Sequence, residues 1–246
     1  MISSQSMEKE AFLAARFEAL GVVLNDRQIG QFIRYAQLLA EWNEKINLTA
    51  ITAFEDVAVK HFADSCAPVM FPDLAKKLEN AAVADIGSGA GFPGIPLKIL
   101  FPSMKLTMMD SLAKRIRFLE LVCGELGLEA ACVHGRAEDL AKEMRFREAF
   151  DVAAARAVAP MRILSEYCLP FVREDGLFLA YKTAQPEDEL AQAERALKVL
   201  GGGEVQVLRF VLPETDYGRS LILVSKQGKT PGKYPRKAGT AARNPL

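Results

Sequence analysis

Histidine and paired cysteine are scarce in this 246-residue sequence. Its two histidines are His61 and His134, and its four cysteines include no C-x-x-C pair. A zinc site built from histidine and cysteine needs several such ligands at short spacing, so we expect no metal. Scattered, unpaired cysteines are typical of reduced and mostly buried thiols, which favours a cytoplasmic protein.

Net charge and long apolar runs are missing as well. The 31 basic and 31 acidic residues cancel, so any attraction to nucleic acid must come from a local patch. No charged-then-apolar leader follows Met1 and no long uncharged apolar run occurs, so we expect neither secretion nor a membrane span. Half the residues are hydrophobic and a quarter are charged, which is typical of a globular protein.

The most informative stretch that is present runs from Asp85 to Leu97 and reads D-I-G-S-G-A-G-F-P-G-I-P-L. It lies between a short apolar run and an apolar helical pattern, as expected for a strand, a glycine turn and a helix start. Glycines 87, 89 and 91 would let the chain turn tightly and let a ligand approach the backbone. The N–H groups at the helix start would suit an anionic group. A plain turn between a strand and a helix is the alternative.

Two acidic residues indicate which ligand the turn binds. Asp85 directly precedes the first glycine, where a carboxylate would repel a pyrophosphate but suit an ammonium and a sulfonium. Phe92 stands where a dinucleotide fingerprint has glycine. Asp110, at the end of the next predicted strand, would accept hydrogen bonds from ribose hydroxyls. These features favour S-adenosylmethionine (SAM) as the cofactor.

From residue 81 onward, strand-like and helix-like segments alternate. Strands are predicted near 82–86, 105–110, 130–134, 149–155 and 176–182, and a terminal antiparallel hairpin near 205–212 and 221–224. A five-stranded α/β core with such a hairpin is characteristic of SAM-dependent methyltransferases. We therefore predict an α/β fold of the Rossmann-like class I type, with a mostly parallel seven-stranded sheet.

Ligands of an open parallel sheet bind beyond the carboxyl ends of its strands. Ala137, Glu138, Arg156 and Lys182 follow three of the predicted strands, so we expect all four to face the site. For Glu138 a salt-bridged surface position is a serious alternative. The helix after Asp110 should bury its apolar face, which begins with Leu112. Lys114 and Arg117 should then face solvent, with Arg115 at the border, either as a solvated face or as part of an RNA-binding surface.

The segments before and after this core have their own character. Residues 1–80 predict a small helical cap, with capping boxes at Asn25/Gln28 and at Thr52/Glu55. His61 belongs to this cap, where we expect a buried structural histidine. Residues 81–228 would form the methyltransferase domain. Residues 229–246 are basic and carry no acid, which indicates either an idle disordered terminus or a flexible RNA-binding arm with Lys233, Arg236 and Lys237.

Several motifs along nearly the whole chain resemble one family. They are W-N-E-K-I-N-L-T at 42–49, K-H-F-A-D-S at 60–65, the glycine turn with its F-P-G-I-P-L extension, D-S-L-A-K-R-I-R-F-L at 110–119, A-R-A-V-A around Arg156 and Y-P-R-K-A-G at 234–239. Together they resemble the bacterial RsmG family, also called glucose-inhibited division protein B. The glycine turn's extension is far more specific than the glycines themselves.

The resemblance implies a SAM-dependent methyltransferase that modifies N7 of one guanine in small-subunit ribosomal RNA, and we expect it to act as a monomer. Carried over, the cofactor contacts fall on Gly87, Phe92, Asp110, Ala137, Glu138 and Arg156. One position departs from the family. Lys182 is followed by Thr183, where the family usually has glycine.

The expected chemistry needs no strong general base, because guanine N7 has a free lone pair and no proton to lose. Positioning and electrostatics would then supply most of the catalysis. Arg156 or Lys182 would donate to guanine O6, beside N7. The chain lacks an Asn/Asp-Pro-Pro-aromatic motif and a Pro-Cys pair, which argues against amine and pyrimidine-carbon methylation. A SAM enzyme with a small-molecule or protein substrate, and a non-catalytic RNA-binding module, remain alternatives.

Overall fold

A seven-stranded sheet forms the centre of this computed structural model, which describes residues 4–246. The strands are β1 (Ala82–Ile86), β2 (Lys105–Asp110), β3 (Ala130–His134), β4 (Phe150–Arg156), β5 (Val172–Thr183), β6 (Gly202–Val211) and β7 (Gly218–Lys226). Their order is β3-β2-β1-β4-β5-β7-β6. The first five strands are parallel, and β7 runs antiparallel between β5 and β6. The predicted fold class is confirmed.

Helices cover the sheet. They are α1 (Ser4–Ala19), α2 (Asp26–Ile46), α3 (Phe54–Val57), α4 (Asp64–Cys66), α5 (Pro72–Leu78), α6 (Gly94–Leu100), α7 (Ala113–Leu126), α8 (Ala137–Leu140), α9 (Met161–Cys168), α10 (Glu187–Ala191), α11 (Glu194–Val199) and α12 (Thr240–Arg243). A π-helical turn (Ala58–Ala63) joins α3 to α4, and 3₁₀ turns occupy Ala67–Met70 and Leu169–Phe171.

The strands place alternate side chains on two separate hydrophobic cores, as the period of two in a strand requires. In β1, Val83 joins the core that contains the cap helices, while Ala84 and Ile86 join the core beneath α9 and α11. The cap therefore has no core of its own, because its apolar residues and one face of the sheet form a single cluster. The division into a cap of residues 1–80 and a domain of residues 81–228 stays a prediction.

Two predicted helix starts have different outcomes. Asn25 caps α2: its Oδ1 accepts from the Gln28 N–H, and the Gln28 side chain accepts from the Asn25 N–H, so that capping box is confirmed. The predicted box at Thr52/Glu55 is wrong, because α3 begins after Ala53 without any side-chain cap. The π-helical turn and α4 follow α3 directly and extend the helical segment to residue 66.

Helix α7 departs from its predicted pattern at the start. Leu112, expected on the buried face, is the residue before the first turn of α7 and is 41% exposed. The rest of the apolar face, from Ile116 to Leu126, is buried as predicted. Strand β5 is longer than predicted, because it already pairs with β4 at Val172, opposite Phe150. A bulge then shifts the register, and regular pairing continues from Leu177.

The C-terminal segment, residues 229–246, packs against the domain instead of extending from it. Tyr234 is buried, and the Arg236 guanidinium makes hydrogen bonds of 2.6–3.1 Å to both carboxylate oxygens of the fully buried Glu166 on α9. Arg147 reaches the carbonyls of Thr230 and Tyr234. Both sequence-based alternatives assumed a free tail, and the structure contradicts that assumption because the buried Glu166 carboxylate and the Arg147 guanidinium bind this segment.

Candidate active site

The glycine turn between β1 and α6 requires glycine at two positions for reasons of both backbone and space. Gly87 and Gly91 have φ values of +72° and +101°, which residues with a side chain rarely adopt. A Cβ on Gly91 would lie 2.5 Å from a methyl carbon of Ile95. A Cβ on Gly87 would lie 2.8 Å from the side chain of Val158, in the loop after β4. The turn therefore packs closely against the loop that follows β4.

A cavity of about 270 Å³ opens beside this turn, at the carboxyl ends of β1, β2 and β3. We call it the glycine-turn cavity. Of the predicted cofactor residues it is lined by Gly87, Asp110, Ala137 and Glu138. Arg115, Arg136, Tyr167, Ala157 and Val158 complete most of the wall. Four of the eight predicted cofactor residues thus surround one cavity.

Asp110 holds the glycine turn against β2. Its Oδ2 accepts from the Gly89 N–H at 3.0 Å and from Arg115 at 3.3 Å, and its Oδ1 accepts from the Leu112 N–H at 2.9 Å. Gly89 itself does not line the cavity and acts through this bond to Asp110. Arg115 is paired with Asp110 at the cavity wall, and its predicted contact with RNA stays a prediction.

Asp85 has a different position from the one predicted. Its side chain is fully buried, does not line the glycine-turn cavity, and accepts a 3.0 Å hydrogen bond from the N–H of Gly94, the first residue of α6. The other oxygen, Oδ1, is buried without a partner. Burial raises the pKa of this carboxyl to about 7. The prediction of free N–H groups at this helix start is therefore wrong for Gly94, because its N–H donates to the Asp85 carboxylate.

Phe92 also lies outside the glycine-turn cavity. Its ring stacks on the His61 ring with 4.5 Å between centroids, and the Arg156 guanidinium lies 5.0 Å from its centroid. Tyr35 of α2 packs on it as well, at 5.5 Å. The turn directs the ring beneath the cap, where it is buried, and the predicted contact between Phe92 and the cofactor stays a prediction.

A second cavity, of about 450 Å³, lies on the other side of the β4 loop. Four cationic side chains line it, so we call it the cation cavity: Lys60, Arg156, Lys182 and Arg219. Ala157, with φ of +57°, lines both cavities and separates them. Arg156 was predicted to contact the cofactor, but it lines only the cation cavity. The cap residues Lys60, His61 and Asp64 supply much of that wall.

Arg156 is held by three groups from the cap. It donates to Asp64 Oδ2 at 2.6 Å, to the Lys60 carbonyl at 3.0 Å and to His61 Nδ1 at 2.9 Å. Arg219 donates to the other oxygen of the Asp64 carboxylate at 3.2 Å. A single buried carboxylate thus orients two guanidinium groups of the cavity, through one charge-assisted hydrogen bond to each.

His61 is neutral in this arrangement. Its Nδ1 accepts from Arg156, so its Nε2 must carry the proton that is donated to Thr49 Oγ1 at 2.8 Å. Burial and the neighbouring Arg156 lower its pKa to about 4. The expectation of a satisfied structural histidine describes its hydrogen bonds correctly, but it missed that His61 lines a cavity.

Lys182 is fastened at the opposite wall. Its Nζ donates to the Ala159 carbonyl at 2.8 Å and to Glu189 Oε1 at 2.5 Å, and the same oxygen accepts from the Met161 N–H. Every carboxylate that lines the cation cavity is therefore paired with a cation: Asp64 with two arginines and Glu189 with Lys182. The lining residues of the cavity therefore provide positively charged hydrogen-bond donors and no free general base.

The remaining predicted RNA ligands differ in availability. Lys114 and Arg117 are exposed on α7, and Lys233 and Lys237 are exposed on the C-terminal segment. The Arg236 guanidinium is bound to Glu166, so it is the least available of the set, and its contact with RNA stays a prediction. Sequence reasoning did not assign Asp64, Arg219 or Lys60 to the site. The first and third lie in the K-H-F-A-D-S motif at 60–65, which was the available signal.

The comparison with known proteins identifies the family. The model for rRNA small subunit methyltransferase G, the GidB family, matches residues 28–217. The ribosomal RNA small subunit methyltransferase G of Exiguobacterium sibiricum is 49% identical over 241 residues, which is 98% of this chain and 100% of that protein. The chain belongs to this family. The Lactococcus lactis subsp. lactis protein of the same name is 47% identical with the same coverage.

Solved structures support the fold of this rRNA small subunit methyltransferase G family member. A putative O-methyltransferase from Klebsiella pneumoniae superposes with a TM-score of 0.55 at 15% identity, over 83% of this chain and 93% of that one. The O-methyltransferase from Bacillus cereus in complex with SAH gives 0.53 at 14% identity, over 78% and 91%. At these identities the likeness shows the fold alone.

Residues 4–246 contain neither a membrane-spanning helix nor a cluster of metal ligands. Among the helices described, none has both the length and the apolar character needed to cross a bilayer. Within the same part of the chain, no three histidine, cysteine or acidic side chains converge as a metal site would require.

Proposed function

We propose that this protein transfers a methyl group from SAM to N7 of a guanine in 16S ribosomal RNA of the small subunit. The observation that carries the proposal is the pair of cavities that meet at Ala157. One has the glycine turn and a strand-end acid, and the other has four cations and no free base. Family membership supports the same substrate class.

The glycine-turn cavity fits SAM in three respects. Gly87 lines the cavity without a side chain, the Asp110 carboxylate can accept from ribose hydroxyls, and Ala137 with Glu138 forms a wall at the end of β3. Bound there, SAM supplies a methyl group on a positively charged sulfur. Because Asp110 already accepts from Gly89 and Leu112, ribose would share or replace those bonds.

The unpaired oxygen of Asp85 is the feature that best fits the amino-acid end of SAM. A buried carboxylate oxygen without a hydrogen bond is costly, and an ammonium group nearby would satisfy it. Since the side chain does not line the cavity, contact requires the glycine turn to shift. The carboxylate at the start of α6 also opposes a pyrophosphate, which disfavours NAD.

The cation cavity suits a guanine whose N7 acts as nucleophile. No proton has to be removed, so paired carboxylates and a neutral His61 are no obstacle. A guanidinium or ammonium of Arg156, Lys182 or Arg219 would donate to guanine O6 and orient N7 towards the methyl donor. To bind guanine, Lys182 must leave Glu189 or share its protons between both.

A modified-substrate assay tests the proposed acceptor. Small-subunit RNA fragments carrying guanine or 7-deazaguanine at the target would be compared in methyl transfer and in binding. We expect methyl transfer to guanine and none to 7-deazaguanine. The affinity for RNA should change by less than about threefold, because the substitution removes only the N7 acceptor. Methylation of the 7-deaza substrate would mean that another atom is attacked. Protein and metabolite fractions serve as alternative acceptors, and transfer to either in place of RNA would contradict the proposal.

Two features of the RNA complex are part of the same proposal. Lys114 and Arg117 are exposed on α7, next to the wall of the glycine-turn cavity, and would contact phosphates as Lys233 and Lys237 would from the C-terminal segment. We expect the protein to act as a monomer on rRNA or on an assembling small subunit.

A further inference from the structure

An exposed tyrosine ring lies at the tip of the terminal hairpin, close to two cations. Tyr217 lies in the turn that joins β6 to β7, and 39% of its surface is exposed. Lys60 Nζ lies 5.3 Å from the ring centroid, and the Arg219 guanidinium carbon lies 5.7 Å from it. Such distances allow a cation–π attraction to each cation, which holds both cations close to the ring.

The same two cations line the cation cavity, although Tyr217 itself does not. The ring therefore lies one side chain outside the cavity, at its rim. Its backbone is fixed by the turn, because the Tyr217 N–H donates to Thr215 Oγ1 and its carbonyl accepts from the Leu212 N–H. The position of the ring relative to the cavity is thus set by the hairpin.

We propose that Tyr217 is a stacking platform for the base of a nucleotide adjacent to the methylated guanine, with Lys60 and Arg219 beside the intervening phosphates. The inference rests on the proposed function, since it assumes that a guanine enters the cation cavity. An enclosed guanine has left its stack, so the neighbouring base loses a partner. An exposed aromatic ring can replace that partner, because every base has a π-face.

The charges around the ring favour RNA over a protein partner. Lys60 and Arg219 each have one carboxylate neighbour, Asp56 at 2.7 Å and Asp64 at 3.2 Å, and both cations keep a quarter or more of their side chains exposed. An aromatic ring flanked by cations at the mouth of a cationic pocket matches the stacking surfaces that bind single-stranded nucleic acid. The zero net charge of the chain makes such a local patch necessary.

The test compares Tyr217→Leu with Tyr217→Phe on the full chain. The RNA substrate carries 2-aminopurine on either side of the target guanine, and its fluorescence reports stacking. We expect Tyr217→Leu to raise the RNA Kd roughly five- to a hundredfold and to abolish the quenching at one flanking position, because a base–aromatic stack is lost. Tyr217→Phe keeps the ring and should stay within twofold of the wild type in both readouts.

Salt dependence separates the ring from the cations. Tyr217→Leu should leave the slope of log affinity against log salt unchanged, whereas Lys60→Gln should reduce it by about 0.7 for one phosphate contact on a single strand. Val211→Ala removes another exposed apolar side chain of the same hairpin and is the matched control, with no expected change. SAM affinity and melting temperature, measured on each variant, identify any variant that is damaged as a whole.

Three outcomes would overturn the inference. They are an unchanged RNA Kd and unchanged quenching in Tyr217→Leu, equal losses in the leucine and phenylalanine variants, and a loss seen only on assembled subunits, which would assign the ring to a protein partner. Failure of the proposed function is distinguishable, because the wild type itself would then methylate no guanine. If the wild type methylates guanine and Tyr217→Leu has the wild-type RNA Kd and quenching, only the stacking platform is contradicted.

Discussion

The backbone N–H of Gly239 donates a 2.8 Å hydrogen bond to the carboxylate of Glu138. Glu138 is buried at the start of α8 and lines the glycine-turn cavity, while Gly239 belongs to the C-terminal segment. The segment that looked like a free basic arm therefore helps to fix one wall of the proposed cofactor site. Loss of the Gly239 N–H should therefore be visible in SAM binding, which the sequence alone did not indicate.

Truncation after Ala238 tests this connection. It removes the Gly239 N–H but keeps the Arg236–Glu166 ion pair, so the rest of the segment stays anchored. We expect SAM affinity to fall roughly tenfold, the effect of one hydrogen bond to a charged group. Calorimetry measures the Kd, and Lys237→Ala, which removes an exposed charge from the same segment, is the control. An unchanged Kd in the truncated protein would show that Glu138 needs no support from Gly239.

Asp110 has two roles that one substitution should reveal. Asp110→Ala removes the proposed ribose acceptor and also releases the Gly89 and Leu112 N–H groups. We expect SAM binding to weaken by roughly 1.5–3 kcal/mol and the melting temperature to fall, while RNA affinity is unaffected. Asp139→Ala, which removes an exposed acidic side chain of α8, is the control for charge. If SAM binds Asp110→Ala as tightly as the wild type, ribose is bound elsewhere.

Arg156 should affect the rate of methyl transfer and not the affinity for SAM, because it lines the cation cavity and not the glycine-turn cavity. We expect Arg156→Ala to lower kcat at saturating RNA roughly a hundredfold, as loss of one preorganised donor does, and to leave the SAM Kd unchanged. Arg156→Lys should not restore the rate, since an ammonium cannot bridge Asp64 and His61 as the guanidinium does.

Steady-state kinetics and calorimetry separate the two effects of Arg156, and the exposed Arg162→Ala provides the control. A weaker SAM affinity with normal kcat would return Arg156 to the cofactor site, as the sequence had suggested.

The sheet was predictable because each of its strands carries its own signal. Strands β1, β2 and β3 begin and end at the predicted residues, since short apolar runs bounded by glycine, proline or charge leave little freedom. The glycine turn and Asp110 likewise follow from a local pattern. Strand β5 was cut short in the prediction because R-E-D at 173–175 resembles a loop, although Val172 already pairs with β4.

The cation cavity was not predictable, because its parts are distant in the sequence. Asp64 and Arg219 are 155 residues apart, and only the docking of the cap against the hairpin brings them together. The carboxylates that bind the C-terminal segment show the same limit. Glu138 and Glu166 resemble ordinary acidic residues of helices. The residues next to them in the sequence do not indicate that Gly239 and Arg236 bind them. Composition alone therefore predicted a free tail.

His61 should make stability depend on pH below neutrality. Its native pKa of about 4 lies below the ordinary value of 6.5, so the unfolded state binds more protons between these values. Stability must therefore fall as pH decreases from 6.5 towards 4, by up to about 3 kcal/mol for this group. Urea unfolding of wild type and His61→Gln at pH 4.5 and 7 isolates the effect. A stability difference between the two proteins that is the same at both pH values would contradict the assigned pKa.

Asp85 should act in the opposite direction. Burial raises its native pKa from 3.8 to about 7, so the folded protein binds more protons between these values. The stability it contributes is fully present below pH 3.8 and is lost as pH rises through 7. Relative to wild type, Asp85→Asn should therefore gain roughly 2–4 kcal/mol of unfolding free energy between pH 4 and pH 8. Asparagine keeps an acceptor for the Gly94 N–H, so the start of α6 stays capped.

The same carboxyl should couple SAM binding to pH. If the ammonium of SAM approaches the unpaired Oδ1, it favours the ionised form, so wild-type affinity should rise from pH 6 to pH 8 while Asp85→Asn shows a flat profile. Calorimetry at both pH values, with adenosine as a ligand that lacks the ammonium, separates this effect from ribose binding at Asp110. A wild-type SAM profile as flat as that of Asp85→Asn would leave Asp85 as a cap of α6 and nothing more.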